Sequence, residues 1–312
     1  MFSPDGYRAL TERAALVRRT DRGVLAVTGA DRLSWLQGLL TNDVMALPIG
    51  GVCDAAYLTP QGRMITDLRV FNLQDRVLLD VPASLAEALQ QRLDGLLFSE
   101  DAQIANQSTD MSVVEVHGPQ ASAVVDGLGM TRDDAFDLPG FTAFVPSAVI
   151  EMFVQNLTGR GAEATTLETL DIVRIEAGRP AFLVDMDEHT IPLEAGLEQR
   201  AISFTKGCYV GQEVIVRVTH RGGGRVAKKL VGLRLSKGQL PAGGEVLSSA
   251  GRDVGRLTSS AWSPAVESGI ALGYVHRDFT APGTMLNVST SPAQLTGEVT
   301  PLPFIRRKFT GS

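Results

Sequence analysis

From about Lys229 onward the chain changes character. The stretches KKLVGLRLS, GEVLSSAGRDVGRLTSSAWSP, SGIALGYVHRDF and GTMLNVST are short, β-rich and separated by glycine turns at close spacing. That spacing is the pattern of a small antiparallel barrel. It also sets the clearest domain boundary, near residue 229.

The preceding residues follow a different grammar. Residues 5–19 read as a short amphipathic helix, with Leu10, Ala14 and Val17 near helical spacing. GVLAVTGA reads as a strand closed by a glycine turn. DRLSWLQGLLTNDV reads as a helix, with Asp31 at its cap and Leu33, Leu36, Leu39 and Leu40 on its apolar face. The stretch CDAAYLTPQGRMITDLRVFNLQDRVLLDVP predicts three strands joined by turns at TPQG and NLQD. In SLAEALQQRLDGLL, Ser84 and Glu87 have the spacing of a capping box. The pattern then repeats. MSVVEVHGP is a strand, QASAVVDGLG a helix, and FTAFVP and AVIEMFVQ are strands. LETLDIVRIEAGRP is a helix stopped by Gly178 and Pro180. Helices alternating with hairpins predict an α+β class rather than a doubly wound parallel sheet. The divisions expected are residues 1–108, 109–228 and 229–312. The N-terminal residues are a further candidate to pack with the second unit.

Bulk properties limit the function. The 312 residues are enough for two or three domains, and a 44% hydrophobic, 21% charged composition suits a globular protein. A net charge of −6 argues against a dedicated nucleic-acid binder. The four histidines are scattered and the two cysteines, Cys53 and Cys208, lie far apart, so no metal-ligand spacing arises. The N-terminal residues lack an apolar signal core, and no run of apolar residues is long enough to span a bilayer. Unpaired thiols and no leader predict a cytoplasmic location. No GxSxG, HExxH, GxGxxG, kinase or Walker A pattern occurs, which disfavours a nucleotide-dependent enzyme.

Three segments could carry chemistry. In FTKGCYVGQEVIVRV, Gly207 and Gly211 flank Cys208 and Tyr209 and let backbone approach closely. If a helix opens at GQE, its dipole and Lys206 both favour a Cys208 thiolate. The alternative is a small buried thiol in a tight turn, and spacing alone leans that way. HRGGGRVAKK groups His220, Arg221, Arg225, Lys228 and Lys229 around three glycines, as an anion site or as a solvated loop. RIEAGRPAFLVDMDEHTIPLEAGL crowds Arg174, Glu176, Asp185, Asp187, Glu188 and Glu194, either as a polar recognition site or as a solvated face.

KGCYVGQE resembles the signature of YgfZ-like proteins, a branch of the superfamily that includes the glycine-cleavage T-protein, a folate-dependent aminomethyltransferase. VTGADRLSWLQGLLTNDV, YLTPQGRMITDLRVF, the RIEAG…PLEAGL segment and GRLTSSAWSP…GIALGYV are similar to further blocks of that superfamily. The resemblance implies a three-domain ring, two mixed α/β units plus the barrel, with tetrahydrofolate or a one-carbon-loaded derivative in the central opening. It implies that Cys208 and Lys206 are the candidate reactive pair, with Cys208 a possible transient metal ligand. It further implies folate contacts from Glu151, aligned on a strand with a pterin-binding glutamate, and from Arg174, Glu194 and Tyr209. The implied role is an accessory one in iron–sulfur cluster assembly or repair, with iron–sulfur client proteins, including tRNA-modifying enzymes, as partners. Neither direct RNA binding nor membrane attachment is expected. One departure stands out. The T-protein's catalytic aspartate has no counterpart in DVPASLAEALQ, and Asp80 lies before that stretch on a strand. A conventional enzyme is therefore not expected. The alternatives are a tetrahydrofolate-dependent one-carbon transferase and a non-catalytic interaction module.

Overall fold

The N-terminal residues divide where a single helix is expected. In the computed structural model, which describes residues 2–221, 223–290 and 295–307 (backbone alone at His220 and Arg221), helix α1 covers only Pro4–Glu12. Ser3 caps it by accepting from the Gly6 N–H, and Pro4 stands in its first turn, where a missing N–H costs nothing. The next apolar residues, ALVR, form strand β1 (Ala15–Arg18). Their burial comes from sheet pairing and not from a helix face.

The first sheet is built from β2 (Arg22–Thr28), β3 (Val52–Leu58), β4 (Met64–Asn72), β5 (Val77–Pro82) and β6 (Gln103–Asn106). Its order is β3-β4-β5-β2-β6, antiparallel throughout. Helices α2 (Arg32–Leu39) and α3 (Ala86–Asp94) cover it, with Leu36, Leu89 and Leu93 packed on Leu25, Val70 and Leu79. The expected caps differ in detail. Asp31 holds the cap position of α2, but its carboxylate accepts from the Asp101 N–H. Ser84 falls in a 3₁₀ turn before α3, and Glu87 accepts from Gln91 one turn on.

The second sheet has the order β10-β1-β7-β9-β8, from β7 (Met111–His117), β8 (Thr131–Arg132), β9 (Gly140–Pro146) and β10 (Glu163–Ala164) around β1. Only the β1–β10 pair is parallel. Helices α4 (Ala121–Val125), α5 (Ile150–Gly159) and α6 (Leu167–Glu176) complete this unit. AVIEMFVQ, expected as a strand, is the start of α5. Ile150, Phe153, Val154 and Leu157 follow helical spacing and turn one face to the core.

After α6, irregular chain leads to α7 (Gln212–Val216) and a short π-turn. The barrel then closes in the order β11-β14-β13-β12-β15-β16. Its strands are β11 (Lys228–Leu235), β12 (Val246–Ser249), β13 (Arg252–Ser263), β14 (Ser268–His276), β15 (Met285–Val288) and β16 (Leu295–Thr300). Leu233, Leu247, Leu257, Val275 and Val288 fill its interior. One further apolar cluster joins Leu10 of α1, Leu58 and Met64 of the first sheet, Val173 and Ile175 of α6, and Ile270 and Leu272 of the barrel. The three units thus share a core. Among the described residues, no helix is long and apolar enough to cross a membrane.

Candidate functional site

A cavity of about 920 Å³ opens where the three units meet. Arg19, Arg22, Phe136, Asp171, Arg174 and Phe182 line its inside, and the exposed apolar side chains of Phe2, Leu183, Val184, Leu240 and Trp262 ring its mouth. Arg22, Phe136, Arg174 and Ala181 also border a narrow recess walled by Asp54, Asp67, Arg179 and Arg200. An apolar cleft with a few convergent polar groups is the usual form of a small-molecule site.

Two charged groups in this space each keep one buried atom without a hydrogen bond. Asp67 stands on β4, and its Oδ1 is buried without a hydrogen bond, 3.8 Å from the Arg22 guanidinium. Burial pushes its carboxyl up, against the pull of Arg22 and Arg200. Arg174, on α6, is held by Asp171 and Asp185, each at 2.5 Å, and by the Arg179 carbonyl at 2.6 Å. Its remaining Nη2 is buried and unpartnered. A buried polar group without a partner costs roughly 1–3 kcal/mol, so both favour a ligand that completes them.

A buried charge network adjoins Asp67 through Arg22. Arg69 donates to Asp80 of its own sheet, and to Glu115 (2.6 Å) and Asp133 (2.5 Å) of the second unit. Arg22 reaches Asp80 at 2.6 Å, and Arg19 reaches both Glu115 oxygens at 2.9 Å. Burial alone raises a carboxyl, but Arg19 and Arg69 hold Glu115 well below its usual range. Asp133 goes the other way, raised because burial outweighs Arg69.

The KGCYVGQE segment packs on the first unit. Lys206 Nζ donates to the carbonyls of Gln37, Leu40 and Asn42, each at 2.7 Å, and so caps the C-terminal end of α2. The Tyr209 ring lies 5.2 Å from that ammonium. Burial lowers Lys206 to about 8 and raises the Tyr209 hydroxyl to about 12. The Val210 N–H donates to the Gly38 carbonyl. At Gly211 φ is 83°, and a Cβ there would come within 2.6 Å of the Thr59 carbonyl oxygen. Cys208 is exposed.

Comparison with known proteins bears on this architecture. Residues 4–146 match the GCVT N-terminal domain family, and residues 228–305 match the glycine cleavage T-protein C-terminal barrel domain. The chain belongs to the glycine-cleavage T-protein superfamily. Relatives include the aminomethyltransferases of Halothermothrix orenii, 27% identical over 96% of this chain and 90% of that one, and of Streptomyces avermitilis, 28% identical over 97% and 90%. The crystal structure of glycine cleavage system aminomethyltransferase T from Bartonella henselae superposes with a TM-score of 0.89. At 22% identity, covering 100% of this chain and 92% of that one, it shows the same fold.

Within this T-protein fold the expected site residues scatter. Arg174 lines the central cavity. Glu194 does not; it lies in a second cavity against the barrel, 3.9 Å from Lys228, with its carboxyl raised by burial. Glu151 is in the first turn of α5, 70% exposed and paired with Arg18, because its segment is helical and turns it to solvent. Neither Cys208 nor Tyr209 is among the residues lining the central cavity. Lys206 points into the end of α2, where its ammonium caps the helix. The HRGGGR segment lies partly outside the described residues. Asp67 went unnoticed in MITDLRVF. The available signal was two charges two apart, Asp67 and Arg69, on one face of a buried strand.

Proposed function

We propose that the central cavity binds tetrahydrofolate or a one-carbon-loaded derivative, as a YgfZ-like member of the superfamily that supports iron–sulfur enzymes. The observation that carries the folate reading is a pair of buried atoms without a hydrogen bond, Asp67 Oδ1 in the recess and Arg174 Nη2 at the border of recess and cavity. These residues fit the ligand chemically. A reduced pterin presents an amino and ring N–H edge that a carboxyl can accept, and the benzoylglutamate portion presents an aromatic ring and carboxylates. Asp67 with Asp54 would hold the pterin edge. Trp262 and Phe136 suit the aromatic portion, and Arg22 and Arg174 the anionic one. Aminomethyltransferases of this family use tetrahydrofolate, which supports the same ligand.

The iron–sulfur role rests on the KGCYVGQE motif and its exposed thiol. Cys208 is available to a client protein from outside the cavity, so folate binding and thiol chemistry are separable. Tetrahydrofolate titrated calorimetrically into wild-type protein is expected to bind. Asp67→Asn is expected to lose roughly tenfold or more, about 1.4 kcal/mol. Cys208→Ala is expected to bind folate as wild type does, yet to leave iron–sulfur enzymes inactive in a strain lacking this protein. Wild-type protein that binds no tetrahydrofolate overturns the folate reading, and full rescue by Cys208→Ala removes the thiol from the mechanism.

Asp67 also favours a second reading, aminomethyl transfer to tetrahydrofolate. A carboxyl raised by burial can hold a proton near a ligand nitrogen and release it during reaction. It offers the acid that DVPASLAEALQ lacks. Turnover with tetrahydrofolate and an aminomethyl donor, abolished in Asp67→Asn, is the expected result of this reading. No turnover with a folate-saturated protein rejects it.

A further inference from the structure

A second cavity, of about 1160 Å³, lies between the irregular segment 183–194 and the barrel wall. It touches the central cavity only along the ridge of Leu183 and Val184. Its charges are unevenly satisfied. Arg63, Arg252 and Arg256 line it without a carboxylate within ion-pair reach among the described residues, although Arg63 donates to the His189 carbonyl and Arg256 to the Gly244 carbonyl, which leaves each with further N–H groups to offer. Three of its four carboxylates are engaged, and the fourth, Asp253, stands beside Arg252 in the chain. Asp185 is neutralised from behind by Arg174 and accepts from the Thr258 and Ser259 hydroxyls at 2.5 and 2.6 Å. Asp187 accepts from Thr190 and the His189 N–H, and Glu194 lies against Lys228.

Tyr274 supplies an independent observation. It is 7% exposed, it lines this cavity, and its hydroxyl lies beside the Thr190 side chain but makes no hydrogen bond of good geometry among the described residues. The Lys228 ammonium sits 4.8 Å from its ring centroid. A buried phenol hydroxyl is a directional donor, and leaving it unsatisfied carries a cost that an acceptor would remove. Guanidinium groups with no carboxylate partner beside such a donor are the recognition chemistry of an oxyanion, since their planar forks bind carboxylate or phosphate oxygens bidentately.

We propose that this second cavity is a binding site for a small organic oxyanion, a phosphate- or carboxylate-bearing molecule held by Tyr274 and the arginines that lack a carboxylate partner. It is separate from the folate cavity and does not depend on that reading. The test uses inorganic pyrophosphate and citrate as probes, titrated calorimetrically into the full chain at constant ionic strength. The wild type binds at least one, and the stronger probe identifies phosphate or carboxylate as the preferred group. Tyr274→Phe keeps the ring and its contact with Lys228 while removing only the hydroxyl. Arg256→Gln removes one guanidinium at the cavity's edge. Each weakens binding about tenfold, the loss of one hydrogen bond to a charged group. Circular dichroism confirms that both variants fold, and both retain wild-type affinity for tetrahydrofolate where the wild type has any. Wild-type protein that binds neither probe, or binding that either substitution leaves unchanged, overturns the proposal. So does a parallel loss of tetrahydrofolate affinity, which would make the two cavities one site.

Discussion

Lys206 and Asp67 are both charged residues held partly out of water, and their surroundings give them opposite tasks. Lys206 closes the end of α2 with three carbonyl contacts. Lys206→Met should lower stability by about 2–3 kcal/mol, the scale of bonds to a charged group, with the Cys208 alkylation rate unchanged. Denaturation and thiol-labelling experiments check both halves. Its pH dependence follows from burial. The folded value near 8 lies below that of the unfolded chain, so between the two the unfolded chain holds the extra proton. Wild-type stability relative to Lys206→Met therefore rises with pH through that window. Asp67 behaves inversely. Its folded carboxyl is raised by burial, so its contribution to stability falls as pH rises from the unfolded value through the folded one. Asp67→Asn should thus gain thermal stability on the wild type as pH rises towards neutral, while losing folate. The segment around Cys208 was legible as a motif because it is contiguous. The direction of the Lys206 side chain was not, because its partners lie over 160 positions away in sequence.

At the scale of elements, local pattern was informative wherever a segment is buried on one face. The strands of the first sheet and the helix α6 follow their periodicity. The failures have physical causes. The apolar residues of α5 repeat at helical spacing, but Val149, Ile150, Phe153 and Val154 also suit a strand, and short apolar runs are ambiguous. That ambiguity misplaced Glu151. Near β1 the apolar positions continue the helical phase of α1, and only the distant pairing with β7 decides the strand. The α7 entry gives a prediction at this scale. Gly211 adopts φ 83° and packs on Thr59, where a side chain would clash. Gly211→Ala should cost about 1–3 kcal/mol, as for other residues forced into that region. Chemical denaturation measures the loss, and the exposed Cys208 should label faster as the segment detaches.

Across the whole molecule, Arg69 is the joint between the two sheets. It is buried among Asp80, Glu115 and Asp133, so Arg69→Met leaves several carboxylates uncompensated. A loss of about 3–5 kcal/mol is expected for breaking such a buried network, seen as a lower denaturation midpoint. The barrel was legible in sequence because its strands are short, apolar on one face and punctuated by glycine turns, although only three of its six pairings, β12–β13, β13–β14 and β15–β16, join consecutive strands. The meeting of three units around one cavity came through the family resemblance alone and not through local pattern, because it depends on contacts between distant segments. One connection matters beyond architecture. Strand β1 pairs directly with β7, yet the whole first sheet, residues 22–106, lies between them in the chain. The first unit is in effect an insertion between two adjacent strands of the second. During synthesis from the N-terminus, Ala15–Arg18 must wait unpaired while the inserted sheet emerges and closes. Only the arrival of β7 and, later, β10 engages it. The first unit therefore matures as an early island, and the cavity at the junction cannot exist until a much later stretch of chain returns to the segment that was made first.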